Sequence, residues 1–163
     1  MVSQLQFTRN EFWRGLDGLS EEEAVKRVGP SNSISWNVGH LAWQEQRYWI
    51  WRLQDADPIE PRLNEEFCFG CPGTTPPLAA MRRLWDRIVA YTASALDQLT
   101  TEDLERERQQ GDVTFNAGNL MNRMIYHYWY HLGESLGIRQ ALGHTGLPDF
   151  VGDVETAAPF RRF

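Results

Sequence analysis

Cysteine is almost absent: of 163 residues only Cys68 and Cys71, in the stretch FCFGCPG, carry a thiol. Two cysteines exclude a disulfide framework and a four-cysteine zinc site. No βαβ pattern surrounds the pair, so a thioredoxin-like redox motif is not supported, and two reduced thiols in a loop are expected. Long apolar runs are missing as well. Nowhere do eighteen apolar residues follow one another, which excludes a membrane-spanning helix. The opening MVSQLQFTRNEFW lacks a charged-then-apolar layout, so no secretory signal is expected and a cytoplasmic protein is predicted. Basic charge is also scarce. Lys and Arg number 16 against 22 Asp and Glu, for a formal charge of -6, which argues against a phosphate backbone as partner. Neither a nucleic acid nor a membrane is therefore expected to bind. Successive alternating runs with hairpin signals are absent too, which argues against a sheet protein.

Helical periodicity is what remains. With 42% hydrophobic and 23% charged residues the chain has ordinary globular chemistry. It is read as one domain over residues 1–163, with a helical bundle over about 4–143 and an irregular tail over 144–163. A first helix is predicted from about Gln4 to Leu16, with Leu5, Phe12, Trp13 and Leu16 as its apolar stripe. Ser20 and Glu23 form a capping box in the following link. Ser33 caps a second helix, ISWNVGHLAWQEQRYWIWRL, which the prolines and acids of DADPIEP end. After a long connection over 55–75, Thr75 with Pro76 and Pro77 starts a third helix. Its core face is Leu78, Met81, Leu84, Trp85, Ile88, Tyr91, Leu96 and Leu99. The polar link TTEDLERERQQGDVT leads to Thr114 or Asn116 as cap of a fourth helix, which runs to Ala141 or Leu142 with Gly143 as its left-handed C-cap. The class is therefore all-α, a four-helix bundle. The long connection lets helices two and three lie parallel, in an up, down, down, up order with helices two and four antiparallel.

Four histidines occur in the chain, and two of them, His127 and His131, stand four apart in IYHYWYHLGES. Positions four apart on a helix lie one above the other, so the two rings are within reach of one ion. The spacing is shared with zincins, but the residue after the first histidine is Tyr128 where those enzymes have a glutamate. His40, in SWNVGHLAWQE, is the candidate third ligand if helices two and four are neighbours. Three imidazoles with an open coordination position are the arrangement of catalytic metals, whereas structural zinc is closed by four protein ligands. Each histidine taken alone reads better as a core residue with local hydrogen bonds, and it is the three together, at compatible spacing on two helices, that favour a metal. Glu134, on the face of His127 and His131, could ligate the metal, orient a ring or accept a proton as catalytic residue. Trp36, Asn37 and Tyr130 are candidate pocket wall, although aromatics at helical spacing also build plain cores. Arg47 and Arg123 are expected deeper in the bundle, in a buried ion pair with an acid. His144 is expected to face solvent.

The motifs SISWNVGHLAWQE and IYHYWYHLGES, with the approach LDGLSEEEAVKRVGPSNS, make the chain resemble the DinB-like superfamily, including YfiT-type metal-dependent hydrolases, over residues 5–143. The resemblance implies an up, down, down, up bundle, frequent homodimers, and a divalent metal, commonly nickel or zinc, at the positions of His40, His127 and His131. Relatives named by the resemblance include bacillithiol and mycothiol S-transferases, a mycothiol-dependent maleylpyruvate isomerase and the metal-binding domain of ergothioneine-synthesising enzymes. They imply a thiol S-transferase in which the metal activates mycothiol or bacillithiol toward an electrophile. A metal-assisted hydrolase and a non-catalytic, stress-related dimeric scaffold are the alternatives. The CxxC loop and the carboxyl-terminal tail depart from the family pattern.

Overall fold

A computed structural model describes residues 1–149 and 151–160. Four long helices carry it: α1 (Val2–Gly15), α3 (Ile34–Gln46), α5 (Leu78–Asp97) and α7 (Ala117–Ala141). Short helices α2 (Glu21–Ala24), α4 (Leu63–Glu66), α6 (Thr101–Glu105) and α8 (Val154–Ala157) sit in the links and tail. The fold is all-α apart from one small hairpin.

The side-chain caps of α3, α7 and α2 fall where the sequence places them. Ser33 accepts from the Trp36 N–H, Asn116 from the Asn119 N–H, and Ser20 with Glu23 forms the complete capping box. Gly143 is left-handed at φ 91°. Thr75 does not cap α5; Pro77 does, with ψ 130°. The reason is local: a residue followed by proline is pushed out of the helical region, so Pro76 cannot open the helix. Glu21 of α2 supplies the missing cap instead, accepting from the Ala79 N–H at 2.8 Å.

Several elements were not expected, the short helices α4, α6 and α8 among them. The second helix does not continue regularly to Leu53; it loosens into a π-helical turn over Arg47–Arg52. The polar link holds β1 (Arg108–Gln110) and β2 (Val113–Phe115), antiparallel with Arg108 opposite Phe115. Strands of three residues are too short for periodicity to register, and the turn signal is Gly111 at φ 57° followed by Asp112.

Every residue of α3 is buried. It packs most extensively on α5 and also on α7, while α1 lies along α7. Asn37 meets Glu134, His40 meets His131 and Glu45 meets Tyr128, so α3 and α7 are antiparallel. Phe7 lies against Trp129, and Arg139 donates to the Gly15 carbonyl, so α1 and α7 are parallel. Tyr91, placed on the core face of the third helix by period, is 53% exposed.

One residue from each long helix joins a buried polar layer. Arg9 donates from Nε and Nη2 to the two oxygens of Glu45, at 2.8 and 2.6 Å. The Tyr128 hydroxyl donates to Glu45 Oε1 at 2.7 Å and accepts from Trp85 Nε1 at 2.5 Å. Burial, and then the Glu45 charge, hold the Tyr128 phenol well above its usual range, so it remains a donor. The buried ion pair expected of Arg47 or Arg123 is therefore made by Arg9. Arg47 instead lies over the Trp43 ring at 5.1 Å, and Arg123 is exposed.

The long connection is pinned to α3. The Gln46 amide exchanges two hydrogen bonds with the Glu60 backbone, both at 2.9 Å, and Trp43 Nε1 donates to Asn64 at 2.9 Å. Cys68 and Cys71 are joined in a disulfide, correcting the expectation of two reduced thiols. The Cα atoms are 5.1 Å apart, because the turn that brings the Cys71 N–H to the Cys68 carbonyl at 3.0 Å also brings the sulfurs together. The described part of the tail straps α1: Gly152 N–H donates to Glu11, Asp149 carbonyl accepts from Arg14, and Gln4 donates to the Ala158 carbonyl. Residues 150 and 161–163 of the predicted tail lie outside the described residues. His144 does not face solvent; it bonds Glu23 at 3.0 Å and Arg139 at 3.2 Å.

Candidate metal centre

Ser33 starts α3 so that His40 is reached two turns later, on the side turned to α7. The antiparallel crossing sets it opposite His127 and His131. Among the described residues these three form the one group of histidines, cysteines or acids able to hold an ion together, with one nitrogen from each inside 4.8 Å of the others. His40 Nε2 stands 3.2 Å from His127 Nε2, and His131 Nε2 stands 3.0 Å from the same atom. Ligands about 2.0–2.1 Å from one ion are spaced by about 2.9 Å at right angles and about 3.3 Å in a tetrahedron. The two spacings to His127 fall in that interval.

Protons decide between an ion and a plain hydrogen-bond cluster. His40 Nδ1 lies 2.6 Å from the Phe67 carbonyl, which only accepts, so Nδ1 carries the hydrogen. His131 Nδ1 lies 2.9 Å from Glu134 Oε2, and that carboxyl is held below its usual range by the bond, so it too accepts. In the neutral rings both Nε2 atoms are therefore bare lone pairs aimed at His127. A single N–H on His127 can satisfy only one of them, whereas a cation satisfies all three nitrogens. The donor set fits a divalent metal, and its outer contacts are the kind that orient metal-bound imidazoles.

The surroundings are arranged in step. Trp36 stacks on the His40 ring at 4.9 Å and Trp43 at 5.3 Å, so the imidazole is held between two indoles. Gly39 leaves no room for a side chain; an added Cβ would lie 2.5 Å from the Phe67 ring. Asn37 donates to Glu134 Oε2 at 3.0 Å, which puts both of the bonds to Glu134 on one oxygen. Asn37 Oδ1 is buried and has no partner among the described residues. Tyr130 stands edge-on to His131 at 5.0 Å and is 69% exposed. Sequence reasoning missed the Phe67 carbonyl, which comes from a loop whose path no spacing rule gives.

Burial, chiefly, holds the His40 imidazole down to about 4 and the His127 imidazole to about 3. An unfolded imidazole titrates near 6.5. Between these values the unfolded chain binds protons that the native rings refuse, so stability is full above about 6.5 and declines as pH falls toward 4. Metal-free protein is expected to unfold at lower urea at pH 5 than at pH 7, before the carboxylates titrate. The difference should shrink in His40→Ala. Equal midpoints at the two pH values would show that the rings titrate normally.

The family model described as the DinB superfamily matches residues 4–135. The span contains all three histidines and Glu134. No curated protein matches the chain.

Proposed function

The chain belongs to the DinB superfamily, and from that premise we propose that it is a divalent-metal-dependent enzyme, a thiol S-transferase acting on a low-molecular-weight thiol of the mycothiol or bacillithiol kind and an electrophile. The observation that supports it most is the pair of outer contacts, Phe67 carbonyl and Glu134, that turn two bare Nε2 atoms toward His127. A divalent ion on His40, His127 and His131, with nickel or zinc suited to imidazole donors, would supply a Lewis-acid site that holds a thiol as thiolate near pH 7.

The chain's own groups do the rest. Phe67 and Glu134 fix the tautomers of His40 and His131, and Trp36 and Trp43 lock the His40 ring while keeping water from its faces. Glu134 Oε1, with no partner among the described residues, is placed to take the proton the thiol sheds; its ionised state follows chiefly from the His131 bond. Asn37 Oδ1 is a buried acceptor for a substrate N–H or O–H. Tyr130 forms the outer wall at the rim. In this reading the protein works as a homodimer in the cytoplasm.

Cobalt-substituted protein is expected to change its visible spectrum when the thiol is added, and wild type but not His131→Ala should conjugate the thiol to an electrophile. An unmoved spectrum with equal conjugation by both would remove the transferase reading and leave a metal-binding scaffold. No helix among the described residues is long and apolar enough to cross a membrane.

A further inference from the structure

The disulfide lies one residue beyond the carbonyl that orients His40. Phe67 is 2% exposed, its ring lodged where Gly39 leaves space, and its carbonyl reaches His40 Nδ1 at 2.6 Å. The next residue is Cys68, tied to Cys71. The Phe67–Cys68 peptide is therefore held from both sides, by a buried ring before it and a covalent clasp after it. From this juxtaposition we infer that Cys68–Cys71 is a thiol–disulfide exchange site through which a small-molecule dithiol sets the affinity of the histidine centre for its ion. The inference rests on the metal reading above.

The two sulfurs are not equivalent. Both cysteines are half-buried, but Cys68 packs against the hydrophobic core, whereas Cys71 follows Gly70, left-handed at φ 82°, and is not among the residues packed on that core. An external thiolate attacks Cys71 Sγ. The S–S bond breaks, Cys68 leaves as thiolate and takes a proton, and a mixed disulfide joins Cys71 to the reagent. The second thiol of the reagent then displaces Cys71, which is released as a thiol. The reagent leaves as a cyclic disulfide, so two electrons and two protons have passed to the protein.

With the clasp open, the Phe67 ring and the Phe67 N–H bond to the Leu63 carbonyl still hold the near side of that peptide, but its far side is held by hydrogen bonds alone, and rotation about the Cys68 backbone tips the carbonyl away from His40 Nδ1 part of the time. The ring then loses the contact that keeps its Nε2 bare and aimed at the ion. Loss of an outer contact of this kind weakens metal binding by roughly 10–100-fold. Loosening rather than removing it should cost about tenfold. By linkage the ion then protects the disulfide: a tenfold preference lowers the midpoint potential of this two-electron couple by about 30 mV.

The test is a zinc titration of the full chain against a chromophoric chelator, with oxidised protein, dithiol-reduced protein and a Cys68→Ser/Cys71→Ser double variant. Oxidised protein is expected to bind about tenfold more tightly than the other two, which should match each other. The disulfide should titrate about 30 mV lower with zinc than without it. Equal affinity in all three forms, or an unmoved potential, would overturn the coupling while leaving the metal centre standing. Tighter binding by reduced protein but not by the double variant would mean that the thiolates are ligands, which also overturns it. If no form binds zinc, the metal centre itself is wrong and the coupling goes with it.

Discussion

Glu45→Ala should cost about 3–5 kcal/mol of folding stability, because it leaves the Arg9 guanidinium charged and unpaired inside the bundle. Arg9 is 5% exposed and Glu45 0%, so water cannot replace the lost carboxylate. Burial on its own would push the Arg9 guanidinium down, and Glu45 more than reverses that. The Tyr128 hydroxyl loses its acceptor in the same substitution. Against a total stability of about 5–15 kcal/mol the loss is large, on the order of 10 °C in melting temperature for a chain of this size. Urea denaturation followed by circular dichroism measures it. Replacing both partners, as in Arg9→Met with Glu45→Leu, should recover most of the loss, since the pair as a whole gains little once its desolvation is counted. A Glu45→Ala protein within about 1 kcal/mol of wild type would mean that the layer is wet and the pair dispensable.

His127→Ala should lower metal affinity by more than about 100-fold, beyond what changes in outer contacts produce, with little change in the stability of the metal-free fold. His127 is the centre of the triad: both short nitrogen contacts end on its Nε2. As an ion ligand it is one of three donors, and two imidazoles hold a divalent metal far less well. As a hydrogen-bonding core residue alone, its loss would strand the one buried lone pair that its N–H satisfies, and the metal-free protein would be destabilised by about 1–3 kcal/mol with no effect on metal content. The two roles give opposite signatures. Elemental analysis of untagged protein, with chelator competition and thermal melts of the metal-free form, separates them. Unchanged metal content in the variant would end the three-histidine assignment.

Much of the helical frame was legible because its signals are local. Ser33, Asn116 and Gly143 each mark a helix end through their own backbone or side-chain chemistry. The i, i+4 step by itself puts His127 and His131 on one side of a rod. The short hairpin was missed because three-residue strands leave no period to count. A signal for the polar layer was present and unread: Arg9 follows Leu5 by four in the apolar stripe of α1, and Glu45 follows Leu41 by four in a helix whose every face is buried. Charges at such positions need a partner.

The CxxC turn shows the opposite limit. Spacing permits both a reduced pair and a disulfide, and only the turn that carries Cys71 back to Cys68 decides. The same holds for the site. Residue types and their intervals determined that imidazoles were available on two helices, because periodicity is a property of each helix alone. Which of them meet, which carbonyl and carboxylate set their protons, and that Arg9 rather than Arg47 is the buried cation were decided by packing between segments far apart in the chain. Those contacts depend on the crossing of α3 with α7 and on the path of the loop through Phe67, and neither is encoded in any single stretch of sequence.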